Sequence, residues 1–373
     1  MTDYIPNPGS RLLRILVIAD SKITVPPHGY GGAERIFAHL CEGFARRGHA
    51  VTLMAAEGST SYGRLVTYPW AGQSATAWRG YCKFIFAVRS LRELLAGHDV
   101  VLAGCRTDYL FPFLLAGTPL IYRFGNPIDR SDVDRLQNTA KGPLSLVSVS
   151  DHQRAEFPSR RWTTIHNSTA TQRVAFSEEI TEGYLAFVGR LTANKGADIA
   201  IRVAKQTGLP LKIAGNVSDE PGGREFFERK IRPHIGGNIE WLGEIADKKK
   251  FEFLAAARAM LAPIQWDEPC ANVVMESLAC GTPVITTRRG CMPELIRDGV
   301  TGFLAHDEDE MAYAVTRIPD LSRSTCRKEA ENRFSTDQMV EAYLATARAL
   351  IAKKQMSSRK AELLAVSTQL FRK

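Results

Sequence analysis

The chain has 373 residues, of which 45% are hydrophobic and 24% charged; this balance excludes disorder and fibrous repeats, and the length suits two domains, each with its own core. The net charge of +8 fits a phosphate-rich ligand or an anionic membrane surface, although a solvated basic face accounts for it equally well. Seven scattered cysteines without a Cys-x-x-Cys pair read as reduced thiols and point to neither a disulfide framework nor a zinc site.

Taken in chain order, the first ten residues are polar and broken by Pro6, Pro8 and Gly9, and the apolar run at 15–19 is too short for a signal peptide or a membrane span. A cytoplasmic location is the expectation. Short β-branched runs then alternate with longer segments of helical period, the signature of parallel βαβ units with helices on both faces of a sheet. Residues 15–19, 50–55, 99–103, 119–124 and 144–149 read as buried strands. Residues 32–47 carry Ile36, Phe37, Leu40 and Phe44 at helical spacing and stop at Gly48, which predicts a helix with a glycine terminus. A polar, irregular stretch over 168–183 reads as the hinge. The pattern restarts beyond it, with strands at 184–188, 211–214, 239–242, 259–263 and 283–287 and helices at 195–206, 224–232, 248–257 and 272–279. Residues 337–354 form a long helical pattern, and a polar tail follows.

The densest chemistry lies at Glu268-Pro-Cys-Ala-Asn-Val-Val-Met-Glu276, followed by Ser-Leu-Ala-Cys-Gly-Thr-Pro-Val284. One carboxylate sits in a loop after a strand, the other inside the helix that the loop opens. With that helix starting near Ala271, its free N–H groups and positive dipole end face the loop, ready for hydroxyls or phosphate, and the two glutamates bracket a polyol. A glycosidase needs its carboxylates about 5 to 10 Å apart across the scissile bond, whereas eight residues of helix span about 12 Å. The spacing therefore fits sugar recognition better than hydrolysis.

This stretch resembles the Glu-x7-Glu signature of GT-B glycosyltransferases, specifically the retaining family 4 group (glycosyl transferases group 1). Three more stretches fall in the family's order: Gly29-Tyr-Gly-Gly-Ala-Glu34, Val188-Gly-Arg-Leu-Thr-Ala-Asn-Lys-Gly196 and Gly290-Cys-Met-Pro-Glu-Leu-Ile-Arg-Asp-Gly-Val-Thr-Gly-Phe303. The resemblance covers nearly the whole chain. It implies an α/β fold of two Rossmann-like, doubly wound domains facing across a cleft. An acceptor-binding domain is expected at 1–170, a donor-binding domain at 171–336, and a helical segment at 337–373 that packs back toward the first.

Carried over residue by residue, the resemblance implies that Glu276 binds ribose hydroxyls and Glu268 contacts the transferred hexose. Arg190 and Lys195 hold the diphosphate; fixed cations at a strand end stabilise a departing diphosphate without a metal. Arg190, Lys195 and Glu268 form the expected catalytic set. Backbone at Ala271, Asn272 and Val273 meets the sugar, Ile245 borders the base, and Gly31 and Gly32 let bare backbone approach phosphate or acceptor. The expected reaction moves a hexose from a nucleoside-diphosphate sugar, UDP being the commonest nucleotide in the group, to a glycan, lipid-linked or small-molecule acceptor. No cofactor, metal or nucleic acid is expected, and contact with the inner face of a membrane stays open. Base, linkage and oligomeric state are not legible.

Relatives place a histidine just after the strand matching 120–124, where this chain has Gly125. Arg123, Asn126 or the Gly125 backbone stands in, so either the acceptor chemistry is altered or transfer is reduced; the alternative function is a nucleotide-sugar-binding regulatory partner. Asp20, ending the first strand, reads as a base or as a turn residue. His166-Asn-Ser-Thr-Ala170 also departs from the family's usual Asn-Gly. Asp132-Val-Asp134 and Asp307-Glu-Asp309 imitate an Asp-x-Asp metal motif but sit in polar runs. Residues 77–89 interleave aromatic and basic side chains, as an interfacial membrane helix would, but fit better as a helix packed on the first sheet with its arginines in water.

Overall fold

The computed structural model describes residues 11–29, 31–70, 76–157, 159, 161–174 and 176–370. Contacts divide the chain into two units: one runs to Val149, takes in Phe157–Ile165 and resumes at Met339, and the other comprises Ser150–Glu156 and His166–Gln338.

Among its described residues the first unit builds one parallel sheet from β1 (Arg14–Ile18), β2 (Ala50–Ala55), β3 (Arg64–Thr67), β4 (Val100–Ala103), β5 (Leu120–Arg123), β6 (Leu144–Ser148) and β7 (Trp162–Thr164), in the order β3-β2-β1-β4-β5-β6-β7. The order reverses between β1 and β4, where Ile15 pairs with both Val51 and Val100. This is the doubly wound pattern. Alternate residues of a strand face opposite sides, so Ile15 and Val17 join Ile36, Phe37, Leu40 and Phe44 of α1 (Gly32–Arg46) in one layer. Leu16 and Ile18 join the other layer with Phe86 of α2 (Thr76–Ala96), Phe113 and Leu114 of α3 (Phe111–Leu115) and Val133 and Leu136 of α4 (Arg130–Thr139).

The second unit repeats the plan, again among its described residues. Its strands β8 (Leu185–Val188), β9 (Leu211–Ala214), β10 (Ile239–Gly243), β11 (Ala259–Ala262), β12 (Val284–Thr287) and β13 (Gly302–Ala305) are parallel and ordered β10-β9-β8-β11-β12-β13. Its helices are α5 (Ala197–Thr207), α6 (Gly223–Phe226), α7 (Asp247–Ala256), α8 (Asn272–Ala279), α9 (Met292–Leu295), α10 (Glu308–Thr316) and α11 (Arg323–Phe334). The last helix, α12 (Thr336–Leu370), enters the first unit at Met339. Met339, Val340, Tyr343, Leu344, Ala347 and Leu350 there share the α1 layer, and the buried Arg47 donates to Glu341 Oε1 at 2.7 Å.

Several elements differ from the sequence expectation. Strands β3 and β7 end the first sheet, and edge strands of four and three residues carry too short a pattern to separate from loop. Strand β13 follows the turn at Gly299 and begins with Gly302, so it reads as part of the glycine-rich motif. The helix expected at 224–232 breaks into α6, a π turn at Phe227–Ile231 and a 3-10 turn at Arg232–His234; Pro233, lacking an N–H, ends regular helix there. The residues expected to form a polar tail continue α12 to Leu370. Nor does the 168–183 stretch separate the units: Thr169 N donates to Phe334 O at 2.8 Å and Arg327 Nη2 to Thr171 O at 2.8 Å, which ties it to α11. The chain passes between units at 165/166 instead of 170/171, and the 150–156 segment, expected in the first domain, belongs to the second.

Arg323 opens α11 and is buried. Its guanidinium donates to Ser177 O at 2.8 Å, Ala257 O at 2.9 Å and Ala255 O at 2.6 Å, and reaches Thr282 Oγ1 at 3.1 Å. With Cys280 O, just after α8, accepting at 3.3 Å, one side chain serves carbonyls of three segments: the loop at Ser177, the end of α7 and the end of α8. Arg323→Ala strands those acceptors, each unsatisfied buried group costing about 1 to 3 kcal/mol. A loss of about 3 kcal/mol or more in urea unfolding is expected; a loss below about 1 kcal/mol would show that water replaces the guanidinium.

Candidate functional site

Parallel strands deliver their C-terminal ends to one edge of a sheet, and the loops leaving that edge form the binding side of an open α/β domain. In the second unit the loop after β8 carries Arg190 and Lys195, the loop after β11 carries Trp266 and Glu268, and α8 starts at Asn272. The 3-10 turn Ala193–Lys195 is joined to the second loop by Gln265 N donating to Asn194 O at 2.8 Å. Lys195 Nζ forms an ion pair with Glu268 Oε2, and Trp266 Nε1 donates to the same oxygen at 2.7 Å. The ammonium also stands 5.6 Å from the Trp266 ring centroid, a cation–π contact.

The Glu268 backbone is held as firmly as its side chain. Cys291 N donates to Glu268 O at 3.0 Å, and Gly290, at φ 53°, brings bare backbone against it. A Cβ at Gly290 would lie 2.5 Å from Glu268 N, inside any real contact, so the turn admits only glycine.

Glu276 lies in the second turn of α8. Lys250 Nζ of α7 donates to its Oε1 at 2.8 Å, and both side chains are nearly buried. Each glutamate of the spaced pair is thus matched by one lysine, as a carboxylate withdrawn from water requires. Arg190 pairs with Glu220 in the loop after β9. The N-cap residue Ala271 offers α8 no side-chain cap; Val274 N donates to Ala271 O at 3.0 Å, and the N–H groups of Asn272 and Val273 have no intrahelical partner. Asn272 Oδ1 accepts from Asn167 Nδ2 at 2.8 Å. Ile245, Trp266 and Val273 are half-buried against one apolar cluster. The structure thus joins Lys195 to Glu268 directly and gives Arg190 and Glu276 partners of their own.

The remaining expected residues belong to the first unit. Gly31 precedes and Gly32 begins α1; Tyr30, between the glycines of that motif, lies outside the described residues. Asp20 Oδ1 accepts from Lys22 N at 2.9 Å, an Asx turn. Arg123 is buried at the end of β5, 5.9 Å from the Phe37 ring centroid, and Asn126 is exposed. A Cβ at Gly125 would fall 2.5 Å from Arg123 Nη1. The arginine folds over the glycine and takes the space a larger residue needs.

Residues 169–335 match the family described as glycosyl transferases group 1. They form a glycosyl transferases group 1 domain. The chain is 31% identical over 192 residues to D-inositol 3-phosphate glycosyltransferase of Mycobacterium avium (strain 104), across 48% of this chain and 45% of that protein. The match spans less than half the length of that relative. Across 91% of this chain and 98% of the other, the fold is similar to the crystal structure of AviGT4, a glycosyltransferase involved in avilamycin A biosynthesis, with a TM-score of 0.71 and 26% identity. It is also similar, across 90% of this chain and 100% of the other, to Anabaena Alr3699/HepE in complex with UDP, with a TM-score of 0.72 and 18% identity. Both units accordingly have the Rossmann-like architecture of GT-B glycosyltransferases.

The group 1 domain contains Arg190, Lys195, Ile245, Glu268, Ala271, Asn272, Val273 and Glu276. Sequence reading missed Trp266, Lys250 and Glu220 as their partners. Trp266 was findable, two residues before Glu268 in one loop. Lys250 was not, because the run Lys248-Lys249-Lys250 reads as solvated until α7 shows which lysine turns inward. The rival motifs have other work: Asp132 Oδ1 accepts from Thr107 Oγ1 at 2.5 Å, Asp307 caps α10, and Asp309 accepts from Gln206 at 3.0 Å. Burial pushes the thiols of Cys41, Cys280 and Cys326 up to about 12, which makes them poor nucleophiles at neutral pH.

Glu34 ends the glycine motif on α1. Burial raises its carboxyl above the ordinary value, and Asp20 adds to this, while backbone hydrogen bonding, Arg123 and Lys22 oppose it. A carboxyl raised on folding costs nothing below the unfolded value, costs progressively more as the pH climbs from the unfolded to the folded value, and carries its full penalty above the folded value, where the group is ionised in both states. Glu34→Gln is expected to raise the thermal midpoint at neutral pH, and the gain is expected to vanish once the pH falls below the ordinary glutamate range. An equal gain at both pH values would place its origin in packing.

Proposed function

We propose that the chain is a retaining, metal-independent hexosyltransferase using a nucleoside-diphosphate sugar, UDP-linked by preference, with a glycan, lipid-linked or small-molecule acceptor. The observation that carries this is the joining of Lys195 and Glu268, from two separate motifs, over Trp266 and beside the uncapped start of α8. A cation, a carboxylate and free N–H groups are the chemistry that a diphosphate next to a polyol needs. In this reading Glu276 receives ribose hydroxyls, Glu268 orients the hexose, and the donor takes over part of what the lysines now hold.

Transfer with retention is then a front-side displacement. The bond from the anomeric carbon to the diphosphate oxygen breaks, the acceptor oxygen bonds to the same face, and its proton passes to the leaving phosphate. Arg190, Lys195 and the start of α8 hold the growing negative charge. Since that charge is larger in the transition state than in the bound donor, the two cations act on rate more than on affinity. Arg190→Ala and Lys195→Ala are each expected to lower turnover at saturating donor about 100 to 1,000-fold, with a smaller change in the dissociation constant for the nucleotide sugar. Normal turnover with weakened binding would reduce both residues to donor anchors.

The same charges make a divalent ion unnecessary in this reading. Transfer is expected to persist in excess EDTA, and a strict requirement for Mg²⁺ or Mn²⁺ would overturn the metal-independent mechanism. The second reading, a nucleotide-sugar-binding regulatory partner, draws on Gly125. Arg123 fills the space there, so a histidine enters only if the arginine moves. Measured turnover separates an Arg123-containing transferase from a binder.

A further inference from the structure

Helix α2 has two faces. Cys82, Phe86, Ser90 and Glu93, spaced four, four and three residues apart, are buried on the first unit. The opposite face carries Phe84, Leu91 and Leu95, with Tyr81 at its edge, and these point to water: Phe84 is 65% exposed, Leu91 53% and Leu95 79%. On the flank of the helix the partly exposed Trp78, whose indole donates to Trp70 O at 3.2 Å, meets Tyr81 with ring centroids 5.4 Å apart. The neighbouring α3 adds exposed Phe111 and Leu115. An ordinary surface helix puts charge where α2 puts aromatic rings, and contiguous apolar surface of this kind marks an interaction site.

Charge identifies the occupant. Arg79, Lys83, Arg89 and Arg92 are the cations of α2, and Glu93 is its sole carboxylate. Glu93 is turned inward, paired with Arg64 and with His98 Nε2 at 3.1 Å. At 100° per residue, Lys83 and Arg92 flank the apolar stripe on opposite sides, and the outer face presents positive charge alone. Aromatic rings that sit at headgroup level, between long cationic side chains, match the boundary of an anionic bilayer. Among the described residues no helix is long and apolar enough to cross a membrane. We infer that the outer face of α2, with Phe111 and Leu115 beside it, docks the protein on an anionic lipid surface, with α2 lying in the interface plane. This inference stands apart from the transfer chemistry, since α2 shares no residue with the proposed donor site.

The test uses the full chain with phosphatidylcholine vesicles, with and without phosphatidylglycerol, read by co-sedimentation and by the tryptophan emission shift. Binding to the phosphatidylglycerol vesicles and weaker binding to neutral ones is expected, falling as salt is raised. The double variant Lys83→Ala, Arg92→Ala is expected to weaken partitioning about 30-fold. The triple variant Phe84→Ser, Leu91→Ser, Leu95→Ser is expected to abolish it, with circular dichroism and nucleotide binding unchanged because these side chains face water. Absence of vesicle binding, or binding unaltered in both variants, overturns the inference. So does a wild-type dimer that the serine variant turns into monomer, which would make this face an interface between copies. Transfer to a water-soluble acceptor is expected to survive in both variants, so failed docking and failed transfer are told apart.

Discussion

A carboxylate and an ammonium leave water at a net cost unless each finds the other and the remaining hydrogen-bonding capacity is filled. Glu268 and Lys195 meet this condition with few parts: the lysine and the Trp266 indole share one carboxylate oxygen, and the Cys291 N–H holds the glutamate's carbonyl. The pair constrains much around it. The loop after β8 must reach the loop after β11, which the Asn194–Gln265 hydrogen bond secures, and residue 290 must be glycine because its backbone lies against Glu268. Helix α8 must begin directly after that loop and stay put. Its buried Val274, Met275 and Leu278, packed in one cluster with Cys326, Ala330 and Phe334 of α11, keep it there.

Glu276 and Lys250 solve the same problem a turn later. The two ion pairs hold opposite charges together on the loops after β8 and β11 and between α7 and α8. Arg190 differs in being tied to an exposed glutamate, Glu220, and an exposed ion pair contributes little and is readily exchanged.

The first unit shows the opposite economy. Arg123 is buried beside Phe37 and opposes the rise of the Tyr343 hydroxyl, which burial pushes up to about 12. Glu34 and Asp20 act on one another across the start of α1. These groups are fixed by the α1 layer, which α12 completes with Val340, Tyr343 and Leu344. A C-terminal helix thereby sets the surroundings of residues some 200 or more positions earlier in the chain. Helix α2, on the other side of the sheet, buries one polar-apolar stripe and leaves its aromatic stripe in water. The reading of it as a packed helix with its arginines in solvent was half of the arrangement.

The sequence by itself determined the doubly wound plan of both units, because buried parallel strands are continuous apolar runs and their helices repeat every three to four residues. It also nominated Arg190, Lys195, Glu268 and Glu276, since they sit in short motifs whose spacing is a local property. Tertiary structure alone decided the partners. Lys250 is one of three consecutive lysines until α7 turns it toward α8, and Glu220 is an unremarkable loop acid until β9 lies beside β8. Edge strands of three or four residues, the division of the chain at 165/166, and the direction in which the aromatic stripe of α2 faces were decided there too. Each depends on what packs against the segment, and a residue's own neighbours in sequence carry no record of that.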